Sequence, residues 1–176
     1  MPPSITPSSQ PFIPALKTET FMIMDAIELA IALIRKDDSG QAAWLVKRGI
    51  DPPELSFIMA NRLEGESMRE SVTREVAWEL GLDRSRDLLV SNMAQLNLEF
   101  VGPLPDRQHS TLNRVSFFNV FIYRKRQIEV FSEHQDFRWV NASEICEGLS
   151  QDGIPFSPLA TRLIVDAGVI QTWESN

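Results

Sequence analysis

Apolar residues in this chain fall into short runs separated by polar breaks, and the period changes from run to run. Residues 27–35 read Ile-Glu-Leu-Ala-Ile-Ala-Leu-Ile-Arg, almost continuously apolar. Such a run suits a buried strand or a helix. Lys36-Asp37-Asp38-Ser39-Gly40 then gives a turn signal, because Asp, Ser and Gly support the local hydrogen bonds and positive φ of tight turns. The apolar pattern resumes over 41–47 with Trp44, Leu45 and Val46. Two apolar runs about a short polar turn predict a β-hairpin. Pro52-Pro53 ends that unit, and 55–59 reads as a strand end.

Residues 67–80 are the best helix. Ser67 can cap it, with Glu70 three positions on. Val72, Val76 and Leu80 recur at helical spacing on one face, and Gly81 follows as a stop. Apolar pieces at 88–90 and 96–101 read as strands, followed by a loop over 102–110. Residues 115–123 are β-rich and 137–140 form a short strand. Residues 142–149 and 157 to about 173 read as helices. Strands mixed with helices predict an α/β layered domain.

Composition narrows this further. A chain of 176 residues makes one domain. Pro2, Pro3, Pro7, Pro11 and Pro14, mixed with serines, mark residues 1–20 as a flexible tail and 21–176 as the domain. A formal charge of −7 disfavours a nucleic-acid partner. Cys146 stands alone, so an internal disulfide and a cysteine zinc cluster are excluded, and a reducing cytoplasm is the expected compartment. The longest apolar stretch, 21–34, is interrupted by Asp25 and Glu28, so no membrane span is expected.

The chemistry concentrates in Asn61-Arg62-Leu63-Glu64-Gly65-Glu66-Ser67 and in Arg74-Glu75-Val76-Ala77-Trp78-Glu79-Leu80-Gly81-Leu82. Glu75 and Glu79, four apart on a helix, share a face. Like charges at that spacing repel, and a bound dication with a preference for oxygen ligands reverses the sign. Glu66 lies at the helix entrance. These residues resemble the signature of the Nudix hydrolase family: Glu66 matches its first Glu, Arg74-Glu75-Val76 its Arg-Glu-aliphatic run, Glu79 the second Glu of its Glu-Glu pair, and Gly81-Leu82 its close. The likeness covers residues 60–82, with a similar layout elsewhere. Two positions depart from it: Ala60 stands for the opening Gly, beside Met59, and Trp78 for the first Glu of the pair.

The resemblance implies a Nudix-type α/β/α sandwich with a mixed sheet. It implies an Mg²⁺- or Mn²⁺-dependent pyrophosphohydrolase acting on a nucleoside diphosphate linked to another group, and homodimers occur among relatives. Glu75, Glu79 and Arg74 are then catalytic. Glu75, Glu79, Glu66, the Ala60 carbonyl and Glu133 are metal ligands, and Arg48 and Arg62 bind substrate. Arg74 is expected to orient the carboxylates, and Glu66 to be either a ligand or a partner of Arg74. His134 ranks behind Glu133, both placed in a loop before Trp139. The competing readings are plainer: a solvated helix face for Glu75 and Glu79, a surface arginine for Arg74, simple packing for Trp78, and an ordinary charged loop for Arg107, His109 and Arg114. The Trp78 and Ala60 departures also support a second function, a nucleotide-binding or regulatory domain without turnover. A prenyl-diphosphate isomerase on the same fold is disfavoured, since its characteristic Cys is not recognisable.

Overall fold

The computed structural model describes residues 26–38, 40–102, 111–123 and 125–170. The expected tail, Arg107, His109 and the chain beyond 170 lie outside the described residues.

The run that suited either a strand or a helix is the central strand, β1 (Ala26–Asp38). Its alternation decides the matter. Ala30, Ala32 and Ile34 enter one buried cluster, while Leu29, Ile31 and Leu33 enter the other. A strand buried on both faces reads as continuously apolar, because both sets of side chains leave water. After the turn at Gly40, β2 (Gln41–Arg48) pairs antiparallel with the end of β1, from Arg35–Trp44 to Asp38–Gln41. The expected hairpin is therefore present. Residues 55–59 divide into two elements: β3 (Leu55–Ser56), which pairs with β2, and the start of β4 (Met59–Asn61), which pairs antiparallel with β1.

Helix α1 (Met68–Leu80) starts at Ser67 with the expected reciprocal cap. Ser67 Oγ accepts from Glu70 N–H (3.2 Å), and Ser67 N–H donates to Glu70 Oε2 (2.7 Å). Val72 and Val76 are fully buried beneath it. Gly81, at φ +63°, ends it in the left-handed conformation that glycine adopts without strain. The Leu82 N–H closes the terminus on Ala77 O (2.9 Å).

Four strands complete the sheet around β1 and β2. β5 (Leu88–Val90) and β6 (Leu96–Gly102) pair antiparallel with β7 (Thr111–Ile122). β7 runs parallel to β1 from Ala26–Leu112 to Ile34–Val120, which makes the sheet mixed. β8 (Phe137–Asn141) pairs antiparallel with β2. α1 packs on the face carrying Ala30, Ala32 and Ile34. α3 (Ala142–Glu147) and α4 (Pro158–Asp166) cover the other, through Ile145, Leu163 and Ile164. The layers are those of the expected α/β sandwich.

Three expectations need correction. Glu133, expected in a loop with His134, instead belongs to a helix, α2 (Lys125–Glu133), while His134 follows outside it. The polar start of α2 hides the helical period, and Phe131 buries into the core from it, edge to face on Phe137 at 6.0 Å. Helix α4 stops at Asp166, short of the expected extent, and the Gly168 N–H closes the last turn on Val165 O (3.0 Å). Trp78 does not pack in the core: it is 82% exposed. Among the described residues no helix is long and apolar enough to cross a membrane.

Ile31, wholly buried between β4 and β7, tests this architecture. Ile31→Ala should lower stability by about 2–5 kcal/mol through the lost transfer energy and the cavity left behind. Urea unfolding should show a lower midpoint at unchanged slope; an unchanged midpoint would place Ile31 outside the core.

Candidate active site

The loop between β4 and α1 is shaped by its own backbone. Glu66 N–H donates to Leu63 O (3.1 Å), and Gly65, at φ +82°, sits inside that turn. The turn sets Glu66 directly before the helix cap. One helical stretch further on, Arg74 reaches back across the entrance. Its Nε donates to Glu66 Oε1 (2.9 Å) and its Nη2 to Glu66 Oε2 (3.2 Å). Its Nη1 donates to Glu75 Oε2 (2.9 Å), and Nη2 also meets the Asn61 carbonyl (3.1 Å). A planar, rigid guanidinium thus ties loop, strand end and helix together. The three side chains are each about a quarter exposed, 22–25%, so water screens the contacts only in part.

The bidentate contact with Arg74 holds the Glu66 carboxyl below the usual glutamate range, helped by the Leu63 N–H. The same pairing pushes Arg74 upward. Both Glu66 oxygens thus accept from Arg74 in the folded chain.

Glu79 lies one turn beyond Glu75. Its Oε1 accepts from Lys47 Nζ on β2 at 2.5 Å. No described donor reaches Glu75 Oε1 or Glu79 Oε2. Two carboxylate oxygens on one helix face are hard donors of the kind a divalent cation takes. The donor chemistry fits such an ion thinly: among the described residues no three His, Cys, Asp or Glu side chains converge to cage one. Solvent and phosphate oxygens would have to complete the shell.

The remaining expected residues are scattered. Ala60 is 1% exposed and faces Ala30. Ala32 N–H donates to Ile58 O (2.9 Å) and Arg62 N–H to Glu28 O (3.0 Å) on either side. Bonded pairs alternate in an antiparallel ladder, so the Ala60 carbonyl already serves Ala30 and keeps one lone pair. Arg62 is held by the Glu28 carboxylate and donates through Nη1 to Glu66 O (3.0 Å). Arg114 pairs with Glu99 (2.8 Å) and lies 3.9 Å from Glu28, an ordinary surface network. Arg48 is exposed on a cleft of about 660 Å³ that Glu79, Lys47, His134, Asp136 and Phe137 also line. Glu133 does not line that cleft; His134 does. His134 Nδ1 accepts from Asp136 N–H (3.2 Å), which leaves Nε2 as the proton-bearing nitrogen of the neutral ring. Glu66 lines a different cleft of about 450 Å³, with Arg69, Thr73, Arg84 and Tyr123.

Sequence reasoning missed Lys47 and Asp136. Lys47 is separated from Glu79 by thirty-two positions, and no motif joins them. Its adjacency to Arg48 at the end of an apolar strand was the sole available signal.

The Arg74–Glu66 pair has a pH signature. A carboxyl held low in the folded state contributes stability above the ordinary glutamate value of 4.5, and loses it as pH falls through the folded value. The gap in urea midpoint between wild type and Glu66→Gln should therefore be constant above that pH and shrink below it. A gap independent of pH would remove Arg74 as the cause.

Comparison with known proteins places this geometry in a known family. The NUDIX domain model matches residues 27–160. No curated protein matches the chain by sequence. Among solved structures, the Ap4A hydrolase of C. elegans superposes with a TM-score of 0.54 at 11% identity, over 84% of this chain and all of that one. The NUDIX domain of Shewanella oneidensis NrtR, complexed with ADP ribose, gives 0.51 at 13% identity, over 82% and 88% of the two chains. The MutT protein of Methanosarcina mazei Go1 gives 0.50 at 17%, over 85% and 99%. At such identities the superpositions speak for the fold, while the family model spans the sheet, α1 and the Arg74 clamp together. With that span matched, and with the helix, loop and mixed sheet arranged as described, the chain belongs to the NUDIX domain family.

Proposed function

We propose that this domain hydrolyses the diphosphate linkage of a nucleoside diphosphate joined to a second group, with Mg²⁺ or Mn²⁺ held on Glu75 and Glu79. The observation that carries the reading is the Arg74 clamp: it fixes Glu75 through one oxygen and leaves the other, one turn from the spare oxygen of Glu79. When bound, the cation supplies charge neutralisation to the phosphoryl oxygens and lowers the pKa of a coordinated water. The residues do the rest by placement. Arg74 keeps Glu75 in one orientation, so no reorganisation is needed when charge develops. Arg48, exposed on the cleft beside Glu79, offers a fork for phosphate. Arg62 is occupied by Glu28 and the Glu66 carbonyl, and its part is to hold the loop. The substrate class is supported by the fold neighbours, of which one is an Ap4A hydrolase and one holds ADP ribose.

A second reading has its own observation. Trp78 is 82% exposed where the family signature carries a carboxylate, and Lys47 occupies Glu79. Both thin the ion site, and a domain that binds nucleotide without turnover follows.

A panel of ADP-ribose, nucleotide sugars, dinucleoside polyphosphates and nucleoside triphosphates, with Mg²⁺ or Mn²⁺, separates the two. Cleavage of at least one, lost in Glu79→Gln with the fold retained, is the expected result. Nucleotide binding with no cleavage anywhere would establish the second reading. Arg74→Lys keeps the charge and loses the fork, and should reduce the cation-dependent rate roughly 10- to 100-fold; an unaltered rate would show that orientation of Glu75 is immaterial. Trp78→Glu should tighten Mn²⁺ binding by calorimetry, and no tightening would refute the idea that a ligand is missing there.

A further inference from the structure

Lys47 presents its ammonium to α1 from a backbone that cannot easily yield. At this residue β2 is paired on both edges, with Ser56 of β3 on one and Phe137 of β8 on the other. Its neighbours Leu45 and Val46 are fully buried, on opposite faces of the sheet. The Nζ therefore reaches Glu79 Oε1, at 2.5 Å, from a fixed origin. The pair is only partly open to water, with side-chain exposures of 39% and 22%.

Position 78, next to Glu79, carries an exposed indole and no charge. The carboxylate thus has an ammonium on it and no second carboxylate beside it from that position. Across Glu66, Glu75 and Glu79, three negative charges face two positive ones, Arg74 and Lys47. An ammonium and a divalent cation draw on the same lone pairs and repel each other.

From this geometry we infer that Lys47 is a built-in competitor of the divalent cation: it occupies Glu79 when no ion is bound and must leave for an ion to take that carboxylate. The inference rests on the reading that Glu79 is an ion ligand. Room for the departure exists, since Lys47 also lines the cleft of about 660 Å³ with Arg48 and His134. The displaced ammonium would stay beside an anionic substrate rather than in the core. The consequence is a site whose ion affinity is set low by a strand residue outside the helical signature.

The test is Mn²⁺ binding to the full chain, read by the paramagnetic signal of free Mn²⁺ and by calorimetry, with no substrate present. Lys47→Met keeps an unbranched apolar stem and drops the charge. It should tighten Mn²⁺ binding by on the order of tenfold, as expected for a charge-assisted contact that water screens in part. Lys47→Arg restores a cation and should bind Mn²⁺ about as weakly as wild type. Glu79→Gln should lose the ion. Equal or weaker Mn²⁺ binding in Lys47→Met, with the ion still lost in Glu79→Gln, overturns the competition and leaves the hydrolase reading standing. Undiminished Mn²⁺ binding in Glu79→Gln overturns the hydrolase reading and the competition with it. Circular dichroism melts confirm that each variant is folded, and Lys47→Gln replaces Lys47→Met in the same titration if the latter fails to fold.

Discussion

The guanidinium of Arg74 is the contact on which the site depends. A loop, the end of β4 and the first turns of α1 meet at this point, and none of them alone would hold two carboxylates still. Four of its five N–H donors, all in one fixed plane, reach Glu66 twice, Glu75 once and the Asn61 carbonyl once. Lysine could satisfy the charge but not the geometry, since an ammonium on a flexible stem has no plane. The clamp also holds the two glutamates differently: Glu66 accepts through both oxygens and Glu75 through one.

The clamp works because the ground under it is rigid. β1 is buried on both faces, with its even-numbered core residues under α1 and its odd-numbered ones under α3 and α4. Burial on two sides leaves no register to slip into, since a shift of one residue would exchange the two faces. The same strand carries β4 on one edge and β7 on the other, so the loop that holds Glu66 grows directly from the central layer. Val72 and Val76 seat α1 on that layer, and the face bearing Glu75 and Glu79 follows from their seating. Dispersion and apolar burial position the helix; the polar contacts then select one arrangement of its charged side.

Around this frame the charges of the helix face are partly met by cations of the protein itself. Where the signature of the family carries paired glutamates, this chain carries an exposed tryptophan and one glutamate under a lysine. Trp78 brings no negative charge to the helix face, and Lys47 sets a positive charge against that face from the adjacent sheet.

Much of the architecture was legible from residues alone, because local rules suffice where partners are close in sequence. The Ser67–Glu70 cap, the buried stripe of α1, the Gly81 terminus and the β1–β2 hairpin each involve residues a few positions apart. The offsets of Glu66, Arg74, Glu75 and Glu79 likewise lie within one loop and one helix. Other features are set by contacts between distant segments. The apolar run of β1 could not be told from a helix until its two faces found separate cores. Helix α2 seats Phe131 against Phe137, a contact its polar start does not announce. Trp78 points to solvent because the positions facing the core were already taken. The pairing of Lys47 with Glu79 spans two elements that only the folded sheet brings within hydrogen-bond reach. Sequence determined the elements and the chemical inventory, through hydrogen bonds and periodicities that close within a few residues. Tertiary structure decided which charges meet, because electrostatic neighbours depend on distance in space.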